Sequence, residues 1–244
     1  MKAPGAGLGL PLAGAIAADD AGLGHALKVV CVGGHPDDPE SGCAGTLARY
    51  VAAGHAVTVI YLTRGERGIE GASDAEAAAI RTAECEAACA ILGAKALFAG
   101  QINGETEVTR ARAEELRRIL AAEKPDALFA HWPIDTNFDH QAASMLTIAA
   151  WKALEPRPQL YFFEVNTGQQ SQGFAPDTYV DISAVVETKK AALFAHESQD
   201  GEGIWRDHHH GVASFRGREA GVEAAEAFVH LSHDPKTAAL PGES

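Results

Sequence analysis

The feature that most constrains this chain is an alternation that begins at residue 27. Short runs rich in β-branched and aromatic residues take turns with Ala-rich helical stretches. When every strand must return to the same edge, the connection has to cross back over the sheet, so the pattern predicts an α/β fold: a Rossmann-like, mostly parallel sheet with helices on both faces, in a single domain. ALKVVCVGG, AVTVIYLT, KALFAG, DALFAHW, LYFFEV and YVDIS read as six strands in order. Helices are expected over SGCAGTLARYVAAGH with Gly54 as its stop, from a cap at Ser73 or Asp74 to Leu92 with Gly93 beyond it, and from about Thr109 to Ala122. Another should run through Trp151, with two more near 184–197 and 212–229.

Ligands of such sheets sit outside the carboxyl ends of the strands. The segments after strands one to four are GGHPDDPE, TRGERG, GQINGE and HWPIDTNFDH, and charge, His and Gly concentrate there. His35 and Asp38 are three apart in a turn that enters a helix, and His140 beside Asp139 opens the helix after strand four. Two imidazoles and one carboxylate with an open position suit a catalytic zinc, and the same set can hold Fe(II) or another divalent metal. Zinc lowers the pKa of bound water to about 7, and Asp37 is the spare carboxylate that can accept the proton. The competing reading is a capping turn in which Asp37 or Asp38 accepts helix N–H groups.

The remaining composition excludes more than it assigns. A formal net charge of -13 lacks the clustered Lys and Arg that phosphate backbones need, so neither nucleic acid nor an anionic membrane surface is an expected partner. No stretch approaches the roughly 18 uninterrupted apolar residues of a spanning helix. Cys31, Cys43, Cys85 and Cys89 form no CxxC pair and read as small buried side chains. Residues 1–26 read as a flexible tail or an export-signal remnant with Ala15-Ile16-Ala17 as a cleavage signal, which favours an exported or periplasmic location. The domain is expected over 27–235, with a tail over 236–244.

In this order, GGHPDDPESGCAGTLARY, TRGERG, IRTAECEAACAILGA, HWPIDTNFDH, KKAALFAHESQ and FRGREAGVEAAEAF resemble the LmbE-like, or PIG-L, family of zinc-dependent N-deacetylases, from about residue 28 to 230. The resemblance implies removal of an acetyl or other acyl group from an amino sugar or similar small amide. It makes His35, Asp38 and His140 the metal ligands and Asp37 the general base. It also allows a trimer or hexamer. Glu40 would hold its loop or cap the helix, and Arg81 would pair with Glu84 or reach the substrate. Arg64, Arg81 and His208 are the candidate substrate-binding side chains. The chain departs from the family pattern at Asn137, where a proton-carrying His is common. Asn can donate a hydrogen bond to an oxyanion but cannot carry a proton at neutral pH, and Asp139 would then orient His140. Asn137 and Asp139 thus join Asp37 as candidate catalytic residues. A proton carrier could come from His131, His196 or the His208–His210 run, the last read as a solvated loop, whereas His55 and His230 read as helix-edge residues. The alternatives are a metal-binding pseudoenzyme without turnover and a nucleotide-binding module suggested by Gly33-Gly34. The second lacks GxGxxG and presents carboxylates where a pyrophosphate would lie.

Overall fold

A computed structural model describes residues 26–231. The expectations for the N-terminal tail or export signal and for the tail over 236–244 lie outside the described residues. Strands β1 (Lys28–Gly33), β2 (Ala56–Tyr61), β3 (Lys95–Phe98), β4 (Ala127–His131) and β5 (Gln159–Phe163) are joined by helices α1 (Asp38–Ala52), α2 (Asp74–Leu92), α3 (Arg110–Glu123) and α4 (Phe138–Lys152). After β6 (Thr178–Asp181) come α5 (Val186–Phe194), the short α6 (Gly201–Ile204), a π turn over Trp205–His209, α7 (His210–Ala220) and β7 (Ala225–His230).

The sheet order is β3-β2-β1-β4-β5-β7-β6, parallel from β3 through β5, with β7 antiparallel to both its neighbours. Side chains alternate across it as a period of two demands. Val30, Val32, Ile60, Leu62, Leu128, Leu160 and Phe162 share one core cluster with α3 and α4 residues such as Leu116, Leu120 and Leu146. Val29, Cys31, Val59, Tyr61, Phe129 and Phe163 face the other way, where Cys43, Leu47, Cys85 and Cys89 from α1 and α2 pack on them. All four cysteines are buried and free. Among the described residues, no helix is long and apolar enough to cross a membrane.

The local signals explain most boundaries. Ser73 caps α2 in a reciprocal pairing with Glu76, and Gly93 ends the helix at φ 74. Pro39 enters the first turn of α1, where its missing N–H costs nothing, so that helix starts at Asp38, earlier than the expected Ser41. The expected helix over 212–229 is half wrong. Gly221, at φ 73, stops α7, and Ala225–His230 forms β7 between β5 and β6. The Ala- and Glu-rich stretch favours helix locally, but hydrogen bonding on both edges and burial of Ala225, Ala227 and Phe228 override that preference. His230 consequently ends a strand, stacked on Tyr161 at 4.6 Å, and His55 sits in the turn before β2, its Nδ1 accepting Leu27 N–H at 3.2 Å. The His208–His210 run also corrects the sequence reading: it belongs to the π turn and the start of α7, and His209 is buried.

The small residues of α1 let it sit against the sheet. A Cβ built on Gly42 would lie 2.3 Å from the Phe163 ring and 3.0 Å from Glu164 O. Gly42→Ala should therefore destabilise by about 1–3 kcal/mol through overpacking, although Ala in an open helix gains up to about 1 kcal/mol over Gly. A denaturant midpoint that rises in this variant would show that α1 does not need the close approach.

Candidate active site

The chain runs from β1 outward to β2 and β3, then returns to β4 on the far side of β1. At such a reversal the loops leaving the two neighbouring strands diverge and open a crevice at the carboxyl edge. The loop after β1 and the start of α1 carry His35, Asp37 and Asp38, and the loop after β4 and the first turn of α4 carry Asp135, Asn137 and His140. Gly34 permits their approach, since a Cβ there would lie 3.1 Å from the His140 ring and 3.2 Å from Asp38 Oδ2. His35 N–H donates to Asp38 Oδ2 at 2.7 Å and closes the turn. Asp37 sits at φ 98, a conformation costing on the order of 1–3 kcal/mol outside glycine, and its side chain does not cap the helix.

His35, Asp38 and His140 converge. His35 Nδ1 lies 3.2 Å from Asp38 Oδ2 and 3.2 Å from His140 Nε2, which in turn is 3.2 Å from Asp38 Oδ1. Tetrahedral bonds of about 2.0–2.1 Å place ligand atoms roughly 3.4 Å apart, so the donor set fits a small divalent cation. The charge balance fits as well. Burial opposes protonation of His35, but hydrogen bonds to Asp139 and Asp38 outweigh it and raise its pKa to about 9. His140 is raised to about 10 against the same burial by Asp38 and Asp135. Three carboxylates around two imidazoles make a place for positive charge.

Each imidazole has its own carboxylate behind it, and here the sequence reading needs correction. Asp139 does not orient His140. Asp139 Oδ2 lies 2.9 Å from His35 Nε2, and His140 Nδ1 lies 3.2 Å from Asp135 Oδ2, an aspartate the sequence reading passed over. With a cation bound, these contacts would keep the ring proton on the rear nitrogen and leave the forward one as a lone pair. Asp139 also accepts from Asn103 Nδ2 and Gly104 N–H at 2.8 Å and from Thr106 Oγ1 at 2.6 Å. Burial alone would raise its pKa; the hydrogen bonds from His35, Thr106, Gly104 and Asn103 hold it well below the usual carboxylate range. Asp135 was detectable in principle as a second acid in the same polar loop, but only the fold of that loop turns it toward His140.

A cavity of about 270 Å³ opens over this cluster, lined by Asp37, Arg81 and a set of neutral polar groups that includes Asn103, Asn137, Asn166, Gln170 and Gln199. Asp37 is pushed up to about 6 by burial, restrained by the Arg81 cation and helped upward by Asp38. Arg81 does not pair with Glu84: its Nη2 donates to Asp37 Oδ2 at 3.1 Å and to the Pro36 carbonyl. Gly65 and Gly68 of the TRGERG loop leave room for that guanidinium, because a Cβ on either would meet it. Glu84 instead accepts from Ser198 N–H and Oγ at 2.7 Å, pinning the HESQ segment. Glu40 neither caps α1 nor lines the cavity. It is buried, accepting from Tyr61 OH at 2.5 Å and standing 3.4 Å from His196 Nε2.

Several candidates do not reach the cavity. Arg64 is exposed and lies over the Phe98 ring at 5.0 Å. His131 is buried behind His140, stacked on it at 4.1 Å, and is lowered to about 4 by burial and by the neighbouring His140. His196, His208, His209 and His210 are likewise absent from its wall. Asn137 does line it, as the cap of α4: its Oδ1 accepts Asp139 N–H at 2.8 Å.

A reversing parallel sheet with a His–Asp–His cluster at its carboxyl edge defines an α/β protein with a donor set that could hold a metal ion. The family described as PIG-L: GlcNAc-PI de-N-acetylase matches residues 30–151. A diacetylchitobiose deacetylase of Thermococcus kodakarensis is 31% identical over 230 residues, covering 84% of this chain and 85% of that one. The chain belongs to the PIG-L family. A 4-oxalmesaconate hydratase of Pseudomonas putida is 27% identical over 230 residues, covering 83% and 86%. The structure of an N,N'-diacetylchitobiose deacetylase from Pyrococcus horikoshii superposes with a TM-score of 0.75 at 27% identity, covering 87% of this chain and 88% of the other. A conserved protein from Thermus thermophilus does so at 0.73 and 31% identity, covering 87% and 100%.

If the two rear carboxylates orient the ligands, Asp135→Asn and Asp139→Asn should each weaken divalent-metal affinity about 10- to 100-fold with the fold retained. Chelator competition on metal-stripped protein measures this, and unchanged affinity in both variants would remove the orienting role.

Proposed function

We propose that this protein is a zinc-dependent hydrolase that removes an N-acetyl group from an amino sugar or a similar small amide. The observation that carries the reading is the joining, in one cavity, of the His35–Asp38–His140 cluster, the Asp37 carboxylate and a wall of neutral amides. Such amides offer donors and acceptors to hydroxyl and acyl groups. At about 270 Å³ the cavity falls just below the usual range of ligand pockets, about 300 to 1,000 Å³, which favours a small substrate group. The diacetylchitobiose deacetylases among the relatives support the same chemistry.

His35, Asp38 and His140 would hold the cation, which when bound would supply Lewis acidity to the acyl carbonyl and to an attacking water. Asp37, ionised above about pH 6, takes the proton of the attacking water. Asn137 has committed Oδ1 to the helix cap, which leaves its Nδ2 to donate to the carbonyl oxygen as negative charge develops there. The amine needs a proton as its C–N bond breaks. Besides His35, Asp38 and His140, the titratable side chains on the wall are Asp37 and Arg81. Asp37 therefore hands the water's proton to the amine nitrogen, and the products are carboxylate and amine. No separate histidine is required, which answers the departure at Asn137.

The hydratase relative raises a second reading, addition of water to an unsaturated carboxylate. Among the described residues, Arg81 is the one Lys or Arg on the wall, and it is held by Asp37 and the Pro36 carbonyl, so the wall offers no uncommitted Lys or Arg to the several carboxylates of such a substrate. Acetate and amine release across N-acetylglucosamine, N,N'-diacetylchitobiose and other N-acyl amines, run beside an unsaturated dicarboxylate, separates the readings. Metal-replete protein that neither releases amine from any N-acyl compound nor hydrates the dicarboxylate is a binding protein of this fold.

His35→Ala or His140→Ala should lose the roughly one zinc per chain expected from a three-ligand site. Asp37→Asn should keep the metal yet lose roughly 10² to 10⁴ in kcat. Asn137→Ser retains a side chain that can cap α4 but withdraws the amide donor, so kcat should fall by roughly 10² with thermal stability nearly unchanged. Full activity in Asn137→Ser would exclude the oxyanion role.

A further inference from the structure

Lys189 on α5 and Glu226 on β7 form an ion pair that no step above uses. Lys189 is 2% exposed, Glu226 is 5% exposed, and Nζ lies 2.5 Å from Oε1. Two charges taken this far from water recover their solvation only when further hydrogen bonds complete them, and apolar replacement is often neutral for stability. What the pair binds therefore says what it is for. Glu226 Oε1 accepts Gly45 N–H at 2.9 Å, and Oε2 accepts Thr46 N–H at 2.7 Å. Lys189 Nζ donates to Ser41 O at 2.6 Å.

All three contacts fall within α1, away from its ends, where backbone groups ordinarily need no outside partner. Along a helix the N–H of residue 45 faces the carbonyl of residue 41. The pair thus clasps both sides of one turn, the cation on its acceptor and the anion on its donors. That turn leads straight to the chemistry. Ser41 lines the active-site cavity, and its own N–H donates to Asp37 O at 2.8 Å. A path therefore runs from Lys189 to the Ser41 carbonyl, across the Ser41 Cα, and from the Ser41 N–H to Asp37, the residue held at φ 98, next to Asp38. A backbone so far from its preferred region persists only where its surroundings over-determine it. Solvent is a poor substitute for the clasp: the space beside it, between Ser41, Glu164, Lys189, His209 and Glu226, is about 10 Å³, room for about one water. Both charges come from the C-terminal third, beyond the 30–151 span of the family match.

We propose that Lys189 and Glu226 are positioning residues whose ion pair clamps the Ser41–Thr46 turn of α1 and thereby sets Asp37 and Asp38 against His140. For its activity readout this rests on the deacetylase reading; for its metal readout it does not.

The test is the double variant Lys189→Met with Glu226→Leu, which keeps the volume, removes both charges and leaves the turn to its own backbone bond. It should fold with a melting temperature within a few degrees of wild type. Zinc affinity, measured by chelator competition on stripped protein, and kcat should each fall about 10- to 100-fold, with KM nearly unchanged. A folded double variant with wild-type zinc affinity and kcat overturns the proposal and leaves the pair as a tie between α1, α5 and β7. Should the double variant fail to fold, Glu226→Asp keeps the charge and shortens its reach by one methylene; a severalfold loss of zinc affinity supports the clamp, and wild-type affinity overturns it. If wild-type protein releases no amine from any N-acyl substrate, the deacetylase reading falls, and the zinc titrations still decide the clamp.

Discussion

The contact between His35 Nε2 and Asp139 Oδ2, at 2.9 Å, holds together the two halves of the site. One partner belongs to the loop that leaves β1 and the other to the first turn of α4, so the contact spans the gap where the sheet order reverses. Asp139 is also the anchor of the loop after β3, through Asn103, Gly104 and Thr106. One carboxylate thus gathers three loops. It can do so because charge-assisted hydrogen bonds to an ionised group, here a buried one, are about twice as strong as neutral ones.

Around that contact the site is built in pairs of acid and base with separate tasks. Asp38 faces the two imidazoles from the front, whereas Asp135 and Asp139 face them from behind. Asp37 is set apart by its left-handed backbone, which turns its carboxylate toward Arg81 and the cavity while its neighbour Asp38 turns toward the histidines. Two adjacent aspartates reach different environments because the chain takes a strained conformation between them. The strain persists since the Pro36 carbonyl and the Asp37 carboxylate are engaged by Arg81 and the Ser41 carbonyl by Lys189, groups fixed elsewhere in the fold.

The C-terminal segment does more than complete the sheet. Glu84 and Gly68 hold the 198–199 segment against the TRGERG loop, bringing Gln199 to the cavity. Val165, Asn166 and Gln170 supply another wall from the loop after β5. Segments outside the HPDD and DH loops thus form part of the cavity wall.

Consecutive residues are enough to specify the alternating strands and helices, the Ser73 and Gly93 boundaries of α2, and the two loops that carry His35, Asp37, Asp38 and His140. Those are local properties: periodicity, capping chemistry and residue type at short spacing are written along the chain. The direction of β7 is settled only in the assembled fold, because a stretch with helical preference became a strand where β5 and β6 offered free edges on both sides. The same holds for the pairing of Asp139 with His35 and Asp135 with His140, for Arg81 answering Asp37 rather than Glu84, and for Arg64 and the His208–His210 run standing away from the cavity. Each of those arrangements involves residues whose orientation depends on how loops from separate strands cross one edge of the sheet. A side chain's partner across such an edge is set by backbone direction and burial, and neither can be read from the residue or its neighbours in the chain.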